Sequence, residues 1–142
     1  MNLKVVNKSK HELPKYATPF SAGMDLRANI EAPVTISSGE RVLIPTGIHI
    51  QLPEGYEAQV RPRSGMFLKH GVTSHLGTID SDYRGDIGVM LINHSKDDFT
   101  INDGDRIAQL VISKFERVDW DLVFFLDDSE RGEGGFGHTG NK

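Results

Sequence analysis

Gly77-Thr78-Ile79-Asp80-Ser81-Asp82-Tyr83-Arg84-Gly85-Asp86, running on into Ile87-Gly88-Val89-Met90-Leu91-Ile92-Asn93, is the stretch on which the fold turns. Its apolar segments are short and β-branched, which is strand composition rather than helical composition. Between them lie two carboxylates two residues apart, then a tyrosine and Gly85. Gly85 is expected to take the positive φ that side chains resist, so the stretch reads as a β-hairpin with chemistry at its bend. A bend of this kind can hold a small planar ligand, with Asp80 as a reacting base. Other segments must then supply a phosphate-binding shell.

The composition around this stretch agrees with strands. Fifteen glycines and six prolines among 142 residues, interleaved with short apolar runs, predict an all-β chain with many turns. That length suits one domain that buries a core without staples, and 37% hydrophobic with 25% charged residues argues against wholesale disorder or a membrane span. A net charge of −4 argues against nonspecific attachment to nucleic acid or anionic lipid, although local arginines still bind single phosphates. With no cysteine there is no disulfide framework, thiol nucleophile or Cys-type zinc site. The opening Met1-Asn2-Leu3-Lys4-Val5-Val6-Asn7-Lys8 lacks the apolar core of a secretory signal, and a cytoplasmic location is expected.

Leu3 to Val6 reads as an opening strand and Lys8 to Tyr16 as a connector. In Ser21-Ala22-Gly23-Met24-Asp25-Leu26-Arg27-Ala28, strand geometry sends Asp25 and Arg27 to one face, where the plain reading is a solvated surface with a weak ion pair. Val34-Ile36, Arg41-Ile44, Gly47-Leu52 and Tyr56-Val60 fit further strands, separated by turn signals at Ser38-Gly39, Pro45 and Pro53-Glu54-Gly55. His49, between Ile48 and Ile50, is read as an ordinary strand residue. Arg61-Pro62-Arg63-Ser64-Gly65 breaks the strand and enters a short helix closed by Gly71, with Ser64 expected at the N-cap. Arg63 and the Ser64 hydroxyl beside a helix start suit an anion such as phosphate, though capping alone also explains Ser64.

Asp97-Ile101 and a tight turn at Asn102-Asp103-Gly104-Asp105 lead into Arg106-Ile107-Ala108-Gln109-Leu110-Val111-Ile112. Alternation puts Ile107 and Gln109 on one face and Arg106 and Ala108 on the other, and Gln109 in apolar company needs a partner for its amide. Val118 to Leu126 is a last apolar run containing Trp120, Phe124 and Phe125. Arg131-Gly132-Glu133-Gly134-Gly135-Phe136-Gly137-His138-Thr139-Gly140 then carries five glycines and one aromatic, which leaves two readings open: a disordered tail, or a lid that orders on a ligand.

Five separated pieces, taken together, resemble the five motifs of the trimeric deoxyuridine triphosphatase (dUTPase) family: Ala22-Gly23-Met24-Asp25-Leu26, Arg63-Ser64-Gly65, Gly77 to Gly85, Gly104-Asp105-Arg106-Ile107-Ala108-Gln109-Leu110, and Arg131 to Gly137. They fall in order across nearly the whole chain. The resemblance implies a distorted jelly-roll subunit spanning 1–126 with a glycine-rich C-terminal lid at 127–142. It implies a homotrimer with active sites shared between subunits, and Mg2+-dependent cleavage of dUTP to dUMP and pyrophosphate, which limits uracil incorporation into DNA and supplies dUMP for thymidylate.

Carried over residue by residue, the resemblance makes Asp80 the carboxylate that orients the attacking water and Tyr83 the ring under the deoxyribose. The backbone around Leu76, Gly77 and Ile79 reads the uracil edge. Arg63, Ser64, Gly65 and Gln109 bind phosphate, Asp25 lies near the metal's water shell, and Arg131 and Phe136 close over the γ-phosphate and the uracil. Met24 stands where the family commonly has an aromatic, and His138 where it has a small hydroxyl residue. A dCTP deaminase of the same superfamily, or a regulatory partner-binding protein on this fold, are the alternatives.

Overall fold

Strands separated by glycine and proline turns make up nearly all of the regular structure, which is a computed structural model describing residues 1–135. Eleven strands and one helix follow in order: β1 (Lys4–Asn7), β2 (Gly23–Arg27), β3 (Val34–Ile36), β4 (Arg41–Ile44), β5 (Ile48–Gln51), β6 (Tyr56–Arg61), α1 (Ser64–His70), β7 (Val72–Ser74), β8 (Gly77–Ile79), β9 (Val89–Asn93), β10 (Phe99–Ile101) and β11 (Arg106–Lys114). A four-stranded sheet runs β2-β11-β6-β8 and a three-stranded sheet β4-β9-β7, and β1-β5 and β3-β10 form two-stranded ribbons. All pairings are antiparallel. This is the all-β architecture that the composition predicts, of the jelly-roll type that the resemblance implies, with the one short helix read after Arg63.

Alternate residues of facing strands fill an aliphatic core, in which Leu26, Ile44, Val60, Val89, Leu91 and Ile107 are fully buried. Each such side chain contributes about 2 kcal/mol of transfer free energy. Thr46, Ser74 and Asn93 are buried polar residues, and the Asn93 amide donates to the carbonyls of Ile36 and Asp97 while its oxygen accepts the Ser95 N–H.

Three local expectations change. The stretch 77–93 is not a hairpin, because β8 pairs with β6 in one sheet whereas β9 lies between β4 and β7 in the other. Residues 80–88 cross from one sheet to the next, a connection too long for a tight hairpin turn, and the Ile87 N–H to Ile48 carbonyl bond at 2.9 Å pins it. Arg63, extended at φ −100° and ψ 121°, is the N-cap of α1, and Ser64 is the first helical residue. The helix begins one residue early because the Arg63 carbonyl already accepts the Met66 and Phe67 N–H groups. At its other end Gly71 takes φ 67° and donates to the Phe67 carbonyl, the C-cap expected from the sequence. In β11 a bulge between Arg106 and Ala108 breaks the alternation, so that Ile107 and Ala108 are both buried.

The apolar run Val118 to Leu126 is placed as follows. Its residues form no strand and leave the sheets, with Trp120 93% and Leu122 96% exposed and Phe124 fully so. The run is apolar as read, and most of its side chains lie open to solvent among the described residues.

Candidate active site: two separated clusters

The first cluster forms where β2, β11 and the end of β6 meet. Antiparallel register places Asp25 opposite Gln109, and Gln109 opposite Arg61. Two residues beyond Arg61 the chain has left the strand through Pro62, which turns Arg63 back over the sheet. Its Nε donates to Asp25 Oδ1 at 2.9 Å, and Arg106 Nη1 donates to Asp25 Oδ2 at 3.3 Å. Arg63 Nη1 also donates to the Arg106 carbonyl at 3.0 Å, so the guanidinium is fixed on two sides. The expected Asp25 and Arg27 pairing is replaced: Arg27 Nη1 donates to the Gly104 carbonyl at 2.8 Å.

Two guanidiniums around one carboxylate leave the cluster net positive, with N–H donors to spare for an anion. Gln109 finds the partner its setting demanded, since its Nε2 donates to the Pro62 carbonyl at 3.0 Å. Its Oε1 occupies the space over Gly23, where an added Cβ would come within 2.3 Å of it. Ser64 and Gly65 stand exposed beside Arg63 at the start of α1, along a cleft of about 410 Å³ that Arg63, Gly65, Lys69 and Arg106 help to line.

The second cluster is the crossover after β8. Asp80 is exposed, and among the described residues its carboxylate makes no hydrogen bond or ion pair. It opens a turn in which the Tyr83 N–H donates to the Asp80 carbonyl at 3.1 Å. The Tyr83 hydroxyl donates to the Asp86 carbonyl at 2.9 Å, laying a half-exposed ring back over Gly85. Gly85 does not take the expected positive φ. Its role is steric, because a Cβ there would lie 2.2 Å from the Tyr83 hydroxyl oxygen. Leu43, Thr78, Asp80, Tyr83 and Gly88 line a shallow hollow of about 280 Å³. β8 is the last strand of its sheet, so the outer edge of Gly77 to Ile79 keeps backbone donors and acceptors that no strand of the sheet uses. Leu76 is exposed next to that edge and Ile79 is buried under it.

The two clusters are not adjacent within one chain. Gly77 pairs with Val60 and Ile79 with Ala58, so Asp80 lies level with the start of β6 while Arg63 lies beyond its end. The four residue rises of about 3.3 Å from Glu57, level with Asp80, to Arg61 span about 13 Å of β6, and Arg63 lies past that end. Arg131 Nε donates to the Gly134 carbonyl at 2.8 Å and, among the described residues, its side chain touches neither cluster. Phe136 and His138 lie outside the described residues.

Arg106, Thr46 and Asp86 were not singled out by sequence reasoning. Arg106 lies in a motif whose amide drew the attention, and the Thr46 and Asp86 contacts described below depend on a meeting of residues about forty positions apart. Among the described residues no three His, Cys, Asp or Glu side chains gather as a metal cage. Asp25 still suits a water-mediated role, since each carboxylate oxygen has accepted one arginine N–H and retains acceptor capacity for a water. Mg2+ keeps several waters and binds readily through phosphates, so such a donor set fits it. Among the described residues no helix is long and apolar enough to cross a membrane.

Comparison with known proteins gives a consistent result. A family model described as dUTPase matches residues 9–140. The deoxyuridine 5'-triphosphate nucleotidohydrolase of Finegoldia magna is 53% identical over 142 residues, covering 99% of each chain. That of Rickettsia bellii is 60% identical over 131 residues, covering 91% of this chain and 87% of its own. Among solved structures, a variant of the Staphylococcus bacteriophage 80alpha dUTPase with dUpNHpp superposes with a TM-score of 0.89 at 27% identity, covering 98% of both chains.

Proposed function

This chain belongs to the dUTPase family and is a dUTP hydrolase, and from that premise we propose that its active site is assembled from the two clusters of different subunits. The observation that carries the reading is the separation of Asp80 from Arg63 along β6, the one level with its start and the other past its end. A water-orienting carboxylate and the phosphate ligands must meet on one triphosphate, and a second copy brings them together. A heterologous contact that closes on itself gives a ring, and three copies form the homotrimer. The exposed arm from Val118 to Leu126 supports this, because apolar surface of that extent is stabilised by packing on a neighbour.

In the assembled site the outer edge of β8 offers alternating N–H and C=O groups to the uracil edge, and the Tyr83 ring packs under the deoxyribose where a 2'-hydroxyl would collide. Arg63, Ser64, Gly65 and Gln109 receive the phosphates, and Arg106 and Asp25 hold Arg63 in place. Asp80 accepts a hydrogen bond from the attacking water and orients its lone pair. The water oxygen bonds to phosphorus, the bond between the α- and β-phosphoryl groups breaks, and the electron pair leaves with pyrophosphate while the water proton passes towards Asp80. A carboxylate is a weak base, so orientation does most of this work. Asp25 would reach, through water, a Mg2+ ion held on the triphosphate, which would supply charge neutralisation at the phosphate oxygens. Residues 127–142 act as a lid, Arg131 on the γ-phosphate and Phe136 over the uracil. The activity is placed in the cytoplasm, where it keeps dUTP from DNA synthesis and yields dUMP.

The test is pyrophosphate release with Mg2+ from dUTP, UTP, dTTP and dCTP in parallel. Release from dUTP in strong preference to the other three supports the reading. Ammonia from dCTP without pyrophosphate from dUTP overturns it.

A further inference from the structure

The Tyr83 ring is held by a chain of contacts that starts on another part of the fold. Thr46 and Gly47, between β4 and β5, aim backbone N–H groups at the Asp86 carboxylate: Thr46 N lies 3.3 Å from Oδ1, and Gly47 N lies 3.0 Å and 3.1 Å from Oδ1 and Oδ2. The Thr46 hydroxyl is 3.2 Å from Oδ1, but it has one proton, which the Ile87 carbonyl takes at the shorter distance of 2.7 Å. The carboxylate therefore depends on main-chain donors. Gly47 presents its N–H with φ +70°, and a Cβ there would lie 2.7 Å from the Ser9 backbone nitrogen, so the corner admits glycine alone. The main-chain carbonyl of the same Asp86 then accepts the Tyr83 hydroxyl at 2.9 Å.

We propose that Asp86 is a positioning residue that sets sugar selectivity, because its carboxylate locks to the Thr46-Gly47 corner the carbonyl on which the Tyr83 ring is hung. The inference rests on the sugar-packing role given to Tyr83 above. Exclusion of a 2'-hydroxyl requires a ring that does not yield, and a rigid support supplies that better than the ring's own contacts. Charge-assisted bonds to backbone N–H groups are among the stronger ones available on a half-exposed turn. Asp86 touches neither the water nor the phosphates in this arrangement. Its loss falls on the choice between dUTP and UTP more than on turnover of dUTP.

The experiment compares kcat/KM for dUTP and for UTP in the wild-type chain and in Asp86→Ala, Asp86→Asn and Tyr83→Phe. Asp86→Ala should lower the dUTP-to-UTP ratio about tenfold, the scale of one lost charge-assisted bond. Asp86→Asn, whose amide oxygen still accepts both N–H groups, should recover most of the ratio. Tyr83→Phe keeps the ring but removes its tether, and should fall in the same direction as Asp86→Ala. Combining Tyr83→Phe with Asp86→Ala should cost no more than the worse single change, because the two act in series. An unchanged ratio in Asp86→Ala, however far its melting temperature drops, overturns the proposal. If Asp86→Ala does not fold, an unchanged ratio in Tyr83→Phe overturns it equally. A wild-type chain that does not prefer dUTP is a separate result, which removes the sugar-packing role and leaves the Asp86 geometry without that consequence.

Discussion

Replacing Gly23 by alanine tests how tightly the cluster proposed to bind phosphate is built. Gly23 lies on β2 without a positive φ, so its backbone accepts alanine, and the cost arises from space alone. The new methyl carbon would stand 2.3 Å from Gln109 Oε1 and 3.1 Å from its Cδ. Carbon and oxygen approach to about 3.3 Å at closest, so the carboxamide must retreat by about 1 Å. That retreat strains or breaks the 3.0 Å bond from Gln109 Nε2 to the Pro62 carbonyl, which precedes Arg63. On stability the loss is one hydrogen bond, about 1 kcal/mol.

For activity the displacement matters more, since a 1 Å misplacement of a positioning group costs about a hundredfold, or ~2.7 kcal/mol of transition-state stabilisation. Steady-state kcat/KM for dUTP, measured beside the melting temperature, separates the two effects. A double variant with Gln109→Ala shows whether the methyl acts through Gln109, in which case Gly23→Ala adds nothing to it. Wild-type kcat/KM in Gly23→Ala, or independent multiplying losses in the double variant, would refute the reasoning.

The remaining expectations concern assembly, the lid and acid. Light scattering of the full chain should give a three-chain particle, and removal of Val118 onwards should dissociate it; a stable single chain at micromolar concentration counts against the shared site. Truncation after Glu130 should cost most of the activity while leaving the melting temperature near wild type, and unchanged kinetics would remove the lid. Asp103 accepts the Ile30 N–H at 3.0 Å and lies 3.1 Å from His11 Nε2, and these contacts, the Ile30 bond first, lower its pKa from 3.8. Its folded pKa is depressed, so the stability it contributes is present above 3.8 and is lost as pH falls through the folded value. Asp103→Asn should therefore flatten the acid limb of thermal stability below about pH 4, and an unchanged limb would show that the contact carries none of it.

The strands were legible because their signals are local: short apolar runs, β-branched residues, and glycine or proline between them. The C-cap at Gly71 was equally local. What the sequence did not yield depends on register and on which sheet a strand joins. β8 and β9 look like hairpin partners along the chain, yet Ile79 is buried in one sheet and Val89 and Leu91 in the other, and only the packing of two sheets decides that. The positive φ expected of Gly85 is absent, and what a Cβ there would meet is the Tyr83 side chain resting on it, a contact no local pattern announces. Asp25 was matched with Arg27 because they are neighbours on one face. Its partners Arg63 and Arg106 reach it only through the pairing of β2 with β11 and the exit of β6. The bulge after Arg106 likewise breaks an alternation that no local residue pattern marks.

Complementation between two inactive chains tests the shared site most directly. Asp80→Asn and Arg63→Ala chains, each without activity as a homo-oligomer, are co-refolded in equal amounts and assayed for pyrophosphate release from dUTP. If each site takes Asp80 from one subunit and Arg63 from another, random mixing gives intact sites at about a quarter of positions, and about a quarter of wild-type activity returns. If both residues serve a site within one chain, every site carries a lesion, and the mixture stays as inactive as its parents.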